Sequence, residues 1–479
     1  MPGGIWTPAN TTDPGQRPAL YANLQAKAAT LISGGSTGIV AMVVTADWGP
    51  DKVPTTVTSE QDLINKFGPS TLTGTAFYNI REALRGGAAS VTAYRAEAAA
   101  AAKATKTLLD GSAGNAIITT ALYAGTRANS FTLDVVTNAL NGALKDVKIS
   151  ESGVLLETFT GGTNAAIVAQ IMGTATGSTA SKYITATAGA GTFVTNAAGQ
   201  ALTGGNSGQS FIAGDLTAAI AALEPLVWDV FSSAGITSGS MLTTLSSWIV
   251  GLRNVGQKVM FSVGSIVGES QVTAVANAIT YGNSEGVVYT WPGVVDDAGT
   301  TRGGIEFASR TAGLVASKAI ANSLTHASLP YITKLEYLAT NAEVKAALTG
   351  GILTLTGDGR GGFQVEKGIT TLTTLTTQPV SFRKIRVVRI CDIIINAIAQ
   401  AANQSYIGNV LNNEVGQNTV INAIKAYLDS LARQGTVKGD FTVVIDPGNP
   451  PVSDRMYVLL VVTPVDTADY IYLTISVAS

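Results

Sequence analysis

The chain has 479 residues but only one histidine and one cysteine, so the residues most used as base, nucleophile or metal ligand near neutral pH occur once each. His326 closes Asn322-Ser323-Leu324-Thr325-His326, among hydroxyls near a predicted helix end, and reads as a capping or surface residue. Cys391 lies in the apolar-periodic run Ile390-Cys391-Asp392-Ile393-Ile394 and reads as a buried, inert thiol with no internal disulfide partner. No Cys/His pair has zinc-ligand spacing. Gly204-Gly205-Asn206-Ser207-Gly208-Gln209-Ser210 resembles a phosphate loop superficially but lacks the lysine before its serine. Gly357 to Gly362 precedes a strand rather than a helix, which makes it a hairpin turn. Glu269 and Asp296-Asp297 are isolated carboxylates. No catalytic residue, metal or cofactor is therefore assigned, and the chain is expected not to be an enzyme.

Two residue sets point instead to contact chemistry. Arg383, Lys384, Arg386 and Arg389 recur at close helical spacing, which keeps them roughly on one side of a helix and suits an acidic partner surface. The C-terminal run Tyr470-Ile471-Tyr472-Leu473-Thr474-Ile475-Ser476-Val477 alternates, with Ile471, Leu473, Ile475 and Val477 on one face. No turn or partner strand follows it. Such a strand either tucks back into its own domain or adds to another chain's sheet.

Composition favours the second outcome. Charged residues are only 13% of the chain and mean hydropathy is +0.28, so much of the surface is expected to be covered by neighbours. The longest bare apolar candidate, Met456 to Val462, is stopped by Pro464 and Asp466 far short of the ~20 residues a bilayer needs. Membrane insertion is not expected. A net charge of −2 gives no basic footprint, so direct nucleic-acid binding is not expected either. The start, Met1-Pro2-Gly3-Gly4-Ile5-Trp6, lacks the basic and apolar regions of a secretory signal, and a cytoplasmic protein is expected.

These sets must be carried by several units, because the length exceeds one ordinary domain. Residues 1–20, rich in Gly and Pro around Ile5 and Trp6, read as an arm. Residues 21–95 follow β-β-α-α-β order: a strand Ile39 to Thr45, a second near Val53 to Val57, a helix with a capping box at Thr58 and Gln61, a helix through Phe77, Ile80 and Leu84, and a strand Val91 to Tyr94. After a polyalanine linker, residues 96–210 turn to period two and read as a small inserted β domain with one helix near Asn164 to Met172. Residues 211–350 alternate helix and strand, which predicts a parallel sheet. Residues 351–465 read as α+β, with a hairpin at Ile352 to Glu366, a long helix from Phe382 to about Tyr406, another from Val420 to Leu431, and strands at Phe441 to Ile445 and Tyr457 to Val462. Residues 466–479 form the terminal strand. The fold class is thus multidomain α/β and α+β, with extended arms at both ends.

The residues resemble a known family in order and spacing along essentially the whole chain. Gly3-Gly4-Ile5-Trp6-Thr7, Gly38-Ile39-Val40-Ala41 through Trp48-Gly49-Pro50, Tyr123-Ala124-Gly125 and Leu202-Thr203-Gly204-Gly205 are similar to segments of contractile-tail sheath proteins of myophages and phage-tail-like bacteriocins. So are Leu252-Arg253-Asn254-Val255-Gly256, Asn283-Ser284-Glu285-Gly286-Val287, Val365-Glu366-Lys367-Gly368-Ile369, Arg383 to Asp392 and Tyr406-Ile407-Gly408. The resemblance implies a structural subunit that stacks as hexameric rings around a tail tube, exchanges terminal strands between copies, and contracts to drive the tube through a bacterial envelope. It implies a central domain of subtilisin-like shape without a catalytic triad. Its partners would be further copies, the tube protein, and baseplate and tail terminator proteins. Its place would be a virion tail assembled in the host cytoplasm. Ile5, Trp6, Ile471, Leu473, Ile475 and Val477 would be the inter-subunit arms, and Arg383, Lys384, Arg386 and Arg389 would meet the tube. The alternatives are another surface-lattice protein or an α/β hydrolase-like enzyme.

Overall fold

A computed structural model of the chain describes residue 32 and residues 38–97, 100–208, 212–317, 322–376 and 378–475. The N-terminal arm residues Ile5 and Trp6, and Val477, lie outside them. The chain divides into two compact units, the larger holding residues 38–396 with the stretch after 463, the smaller holding residues 397–463.

The larger unit is built on an eight-stranded sheet whose middle is parallel. Ile39–Val44 lies at its heart, paired in parallel with Val230–Ser232 on one side and Ser90–Arg95 on the other. Met260–Gly264, Val287–Trp291 and Ile352–Gly357 continue the parallel run outward from Val230–Ser232. Antiparallel strands close both edges, Pro54–Val57 at one and Phe363–Val365 at the other. The hairpin around Gly357 to Gly362 is therefore the far edge of the central sheet. Asp358 holds its turn by accepting from the Arg360 and Gly362 amides at 2.7 and 2.8 Å.

Helices cover both faces, which is why the parallel strands are buried and mostly apolar. Along Ile39–Val44, Val40, Met42 and Val44 face one core with the helices Ala76–Arg85 and Gly304–Ser317. Ala41 and Val43 face the other, with Ala213–Leu223, Gly239–Asn254 and Gln271–Thr280. The predicted βαβ order is observed, with element ends shifted by a few residues. In place of the capping box expected at Thr58 and Gln61, Ser59 caps Glu60–Phe67 by accepting from the Asp62 amide at 3.1 Å.

The insertion after Arg95 is a β sandwich of a four-stranded and a three-stranded antiparallel sheet, with the helix Asn164–Ile171 packed on it. Two of its strands, Thr105–Leu109 and Ala197–Ala201, are not predicted by sequence, because neither carries an apolar alternation of useful length. Trp48 of the central domain enters its core, edge-on to Tyr123 and Phe131 with centroids 5.1 and 5.4 Å away. The fully buried Arg95 ties the junction by donating to the Gly49 and Ala124 carbonyls at 2.7 and 2.8 Å.

In the smaller unit, Ile421, Ile424, Leu428 and Leu431 share the buried face of the helix Glu414–Arg433, which packs on a two-stranded hairpin. The hairpin pairs Thr442–Ile445 with Val458–Val461. Val443 is buried beneath the helix, while Val444, Leu459 and Val461 lie on the exposed side.

Candidate functional site

The four cations singled out by sequence begin before the helix rather than on it. A 3₁₀ turn spans Val380–Arg383 and the α-helix runs Ile385–Ala401, so its start falls three residues after Phe382. Pattern alone does not separate a last 3₁₀ turn from a first α turn. Arg383 Nη2 donates to the Leu348 and Thr349 carbonyls, both at 3.0 Å, capping the C-terminal end of Asn341–Thr349. Lys384 Nζ sits 2.5 Å from Asp466 and 2.8 Å from Asp469. Burial alone would lower the Lys384 pKa, but its bonds to these two carboxylates raise it above the ordinary lysine value. Arg386 is buried, and its Nε and Nη1 have no hydrogen-bond partner among the described residues. Arg389 donates to the Ala316 carbonyl at 3.1 Å. Arg383, Lys384 and Arg389 thus reach separate acceptors within the chain and Arg386 is buried without one, so the four do not line one open face.

Arg389 also lines a small cavity with Asp229, Lys258, Met260, Asp392, Ile393 and Asn396. Burial pushes the Asp229 carboxyl up; Arg389 and the Ile39 and Gly38 amides, at 2.9 and 2.7 Å, pull it back. Burial lowers Arg389, and Asp229 and Asp392 offset part of that. Arg253, from the end of Gly239–Asn254, holds Asp392 through both carboxylate oxygens. Asn396 accepts from the Lys258 amide at 3.2 Å and donates to its carbonyl at 2.9 Å. These contacts fix the first turns of Ile385–Ala401 against the central sheet. Sequence names Arg253 and Asp392 only within longer segments and does not single out Asp229. The available signal was a charge embedded in an apolar run of a chain with few charges.

The C-terminal segment is anchored at its root and open beyond it. Asp466 and Asp469 grip Lys384, and the Tyr470 hydroxyl accepts from Lys367 Nζ at 3.1 Å. From Ile471 to Ile475 the chain forms no strand pairing, and Ile471, Tyr472, Leu473 and Ile475 are 77–92% exposed. An alternating apolar strand left in water keeps every backbone donor and acceptor free for another sheet. The hairpin Thr442–Ile445/Val458–Val461 likewise has both outer edges unpaired among the described residues.

No enzyme-like constellation is assembled among the described residues. In open α/β sheets a ligand site lies beyond the C-terminal ends of the strands. Here the start of Gly304–Ser317 occupies that ground. The Ile305 amide donates to the Ser265 carbonyl at 2.8 Å and Ser233 Oγ donates to the Ile305 carbonyl at 2.9 Å. A side chain at Gly304 would strike the Thr290 carbonyl. Ser232 and Ser309 bond each other at 2.8 Å, and Ser262 donates to the Ala308 carbonyl at 2.8 Å, so these hydroxyls serve packing. His326 sits in a turn with φ of 56° and its amide donates to Val365. Burial pushes the Cys391 thiol up to about 11. No cluster of three His, Cys, Asp or Glu fit for a metal occurs among the described residues, and no helix there is long and apolar enough to cross a membrane.

Four family models match consecutive stretches of the chain. They are the tail sheath protein Gp18 domain III N-terminal region at residues 37–96 and the phage tail sheath protein beta-sandwich domain at 97–207. The phage tail sheath protein central domain follows at 211–371, and the phage tail sheath C-terminal domain at 377–478. The chain belongs to the contractile-tail sheath protein family. It is a structural subunit of the phage tail sheath type, not a catalyst. Among relatives, the phage-like element PBSX protein XkdK of Bacillus subtilis is 26% identical over the full length of both chains. The tail sheath protein of Clostridium phage phiCD119 is 30% identical over 29% of this sheath protein and 39% of its own length. Among solved structures, the sheath tail protein of Desulfitobacterium hafniense superposes with a TM-score of 0.72 at 23% identity, covering 93% of this chain and all of its own. The sheath tail protein of Listeria innocua gives 0.69 at 24% identity, covering 90% and 96%. The helical sheath of the anti-feeding prophage in its contracted state gives 0.59 at 14% identity, covering 96% and 98%. These structural likenesses speak to the fold.

Proposed function

We propose that this sheath protein polymerises as stacked hexameric rings around a tail tube and contracts to drive that tube through a bacterial envelope. The observation that carries the reading is the pairing of an unsatisfied donor with an unsatisfied acceptor on one chain. The donor is the exposed alternating segment from Ile471, and the acceptor is a hairpin open at both edges. Ile471, Leu473, Ile475 and Val477 then add as a strand to a neighbouring copy, with Ile5 and Trp6 serving the same end from the N-terminus. Strand links of this kind survive rotation and sliding of the subunits that they join. Baseplate and terminator proteins bound the stack, and the energy resides in a metastable extended lattice that buries more surface on contraction. About 400 Å² more per subunit would supply about 10 kcal/mol gross.

The tube is met by the region that carries Arg383, Lys384, Arg386 and Arg389. Lys384 is already neutralised by Asp466 and Asp469 and Arg386 is buried, which leaves the partly exposed Arg383 as the group best placed to feel an acidic tube surface. Arg383→Glu is expected to impair co-assembly with the tube while sparing tube-free polymers.

Negative-stain electron microscopy of the purified protein tests the main reading. Rings or hollow tubes are expected, and deletion of residues 468–479 should leave a folded monomer that forms neither. Wild-type-like tubes from the deletion would sink the strand-exchange reading.

A further inference from the structure

The root of the C-terminal arm carries an uneven distribution of charge. Lys384 holds two carboxylates, Asp466 and Asp469, whereas Arg386, two residues on, is buried with two N–H groups unsatisfied. The carboxylates differ in exposure. The Asp469 side chain is only 6% exposed, with Thr467 Oγ1 donating to it at 3.2 Å, while that of Asp466 is 35% exposed and accepts from the Thr467 amide at 2.8 Å. Arg386 lies within electrostatic reach of Asp466. A buried guanidinium with open donors is costly, and a planar carboxylate is the group that best satisfies it. Lys384 stays neutralised by Asp469 if Asp466 leaves.

We propose that Asp466 has two seats: Lys384, which it occupies in this structure, and Arg386, to which it transfers when the arm from Ile471 onward is taken up by a neighbouring copy. Lys384 and Asp469 form the fixed half of the clamp, and Asp466 is the moving half. The transfer re-aims the segment Thr467–Tyr470 and so sets the direction in which the arm leaves. Two arrangements of similar energy at one root provide the discrete states that an arm needs if it is to stay linked while subunits change their relative position. This inference rests on the strand-exchange reading above for its purpose, though not for its first half.

The test uses a nitroxide at Ala468→Cys in a full-length Cys391→Ala background, read by electron paramagnetic resonance, alongside the protein concentration needed for polymer formation. In the dispersed protein, Lys384→Met is expected to raise label mobility and Lys384→Arg to restore it, while Arg386→Met leaves the spectrum as in the background protein. Upon assembly, Arg386→Met is expected to raise the required concentration about tenfold or more, the effect of one lost charged hydrogen bond, and Arg386→Lys to recover part of that. An unchanged spectrum for Lys384→Met overturns the clamp. Assembly of Arg386→Met at the same concentration as the background protein overturns the second seat. If the background protein stays dispersed under every condition, with the Lys384 effect intact, strand exchange fails and takes the second seat with it, while the clamp stands.

Discussion

Arg253 and Asp392, 139 residues apart in sequence, meet as a two-pronged pair: Nη1 to Oδ2 at 2.7 Å and Nη2 to Oδ1 at 3.0 Å. Both side chains are nearly inaccessible to water. Burial opposes the charge on Arg253, but Asp392 and Glu285 outweigh it and hold the guanidinium pKa above its ordinary value. Nη1 additionally donates to the Val259 carbonyl at 2.9 Å, so the pair joins three segments: the end of one central helix, the start of a central strand and the helix leading toward the C-terminus.

Removing one member leaves the other charged and buried without its partner, which typically costs about 3–5 kcal/mol. Arg253→Met and Asp392→Leu are each expected to lower thermal stability by that order, and the double variant to recover much of the loss. A double-mutant cycle in thermal or denaturant unfolding checks this. Additive losses would show that the two residues act separately.

Gly125 has φ of +144°, and a side chain there would collide with the Asp47 carbonyl oxygen at the junction between the sandwich and the central domain. Gly125→Ala is expected to cost at least about 2 kcal/mol by combining backbone strain with displacement of the Asp47 backbone. The near-ultraviolet circular dichroism of Trp48, packed beside this junction, should weaken. Gly142→Ala, which meets open space, is the control and should change stability by under about 0.5 kcal/mol.

Asp110 accepts from the amides of Gly114, Ser112 and Thr192 at 2.7, 2.8 and 2.6 Å, and these bonds, that of Gly114 foremost, hold its carboxyl down at about 2 against an ordinary 3.8. Because the folded value is the lower one, the unfolded chain takes up the proton first. The stabilisation is complete above 3.8 and fades as pH falls toward about 2. Asp110→Asn should therefore lower the melting temperature near neutral pH, with the gap to wild type closing across that window. A gap independent of pH would mean that geometry rather than charge holds the loop.

The Cys391 thiol, pushed up to about 11 by burial first and by Asp392 second, should react slowly with a disulfide reagent near pH 8 and at the rate of a free thiol once the chain is unfolded. Cys391 is half-buried rather than fully buried, and fast labelling of the folded protein would contradict its raised pKa.

Much of the fold was legible because it rests on local pattern. The strands Ile39–Val44, Met260–Gly264 and Val287–Trp291 and the helices between them follow from apolar periodicity and turn residues within each segment. The strands Thr105–Leu109 and Ala197–Ala201 did not, because their short, weakly alternating segments are strands only by virtue of the neighbours they pair with. The site divides in the same way. Sequence alone marked the alternating C-terminal segment, whose pattern is intrinsic to eight consecutive residues, and the cations from Arg383 to Arg389. The tertiary structure alone decided what those cations do, since the partners Leu348, Asp466, Asp469 and Ala316 lie tens of residues away. It likewise brought Asp229, Arg253 and Asp392 into one buried cluster. Periodicity records which way a side chain faces along its own element; which charge it meets depends on how distant elements pack, and no local pattern carries that information.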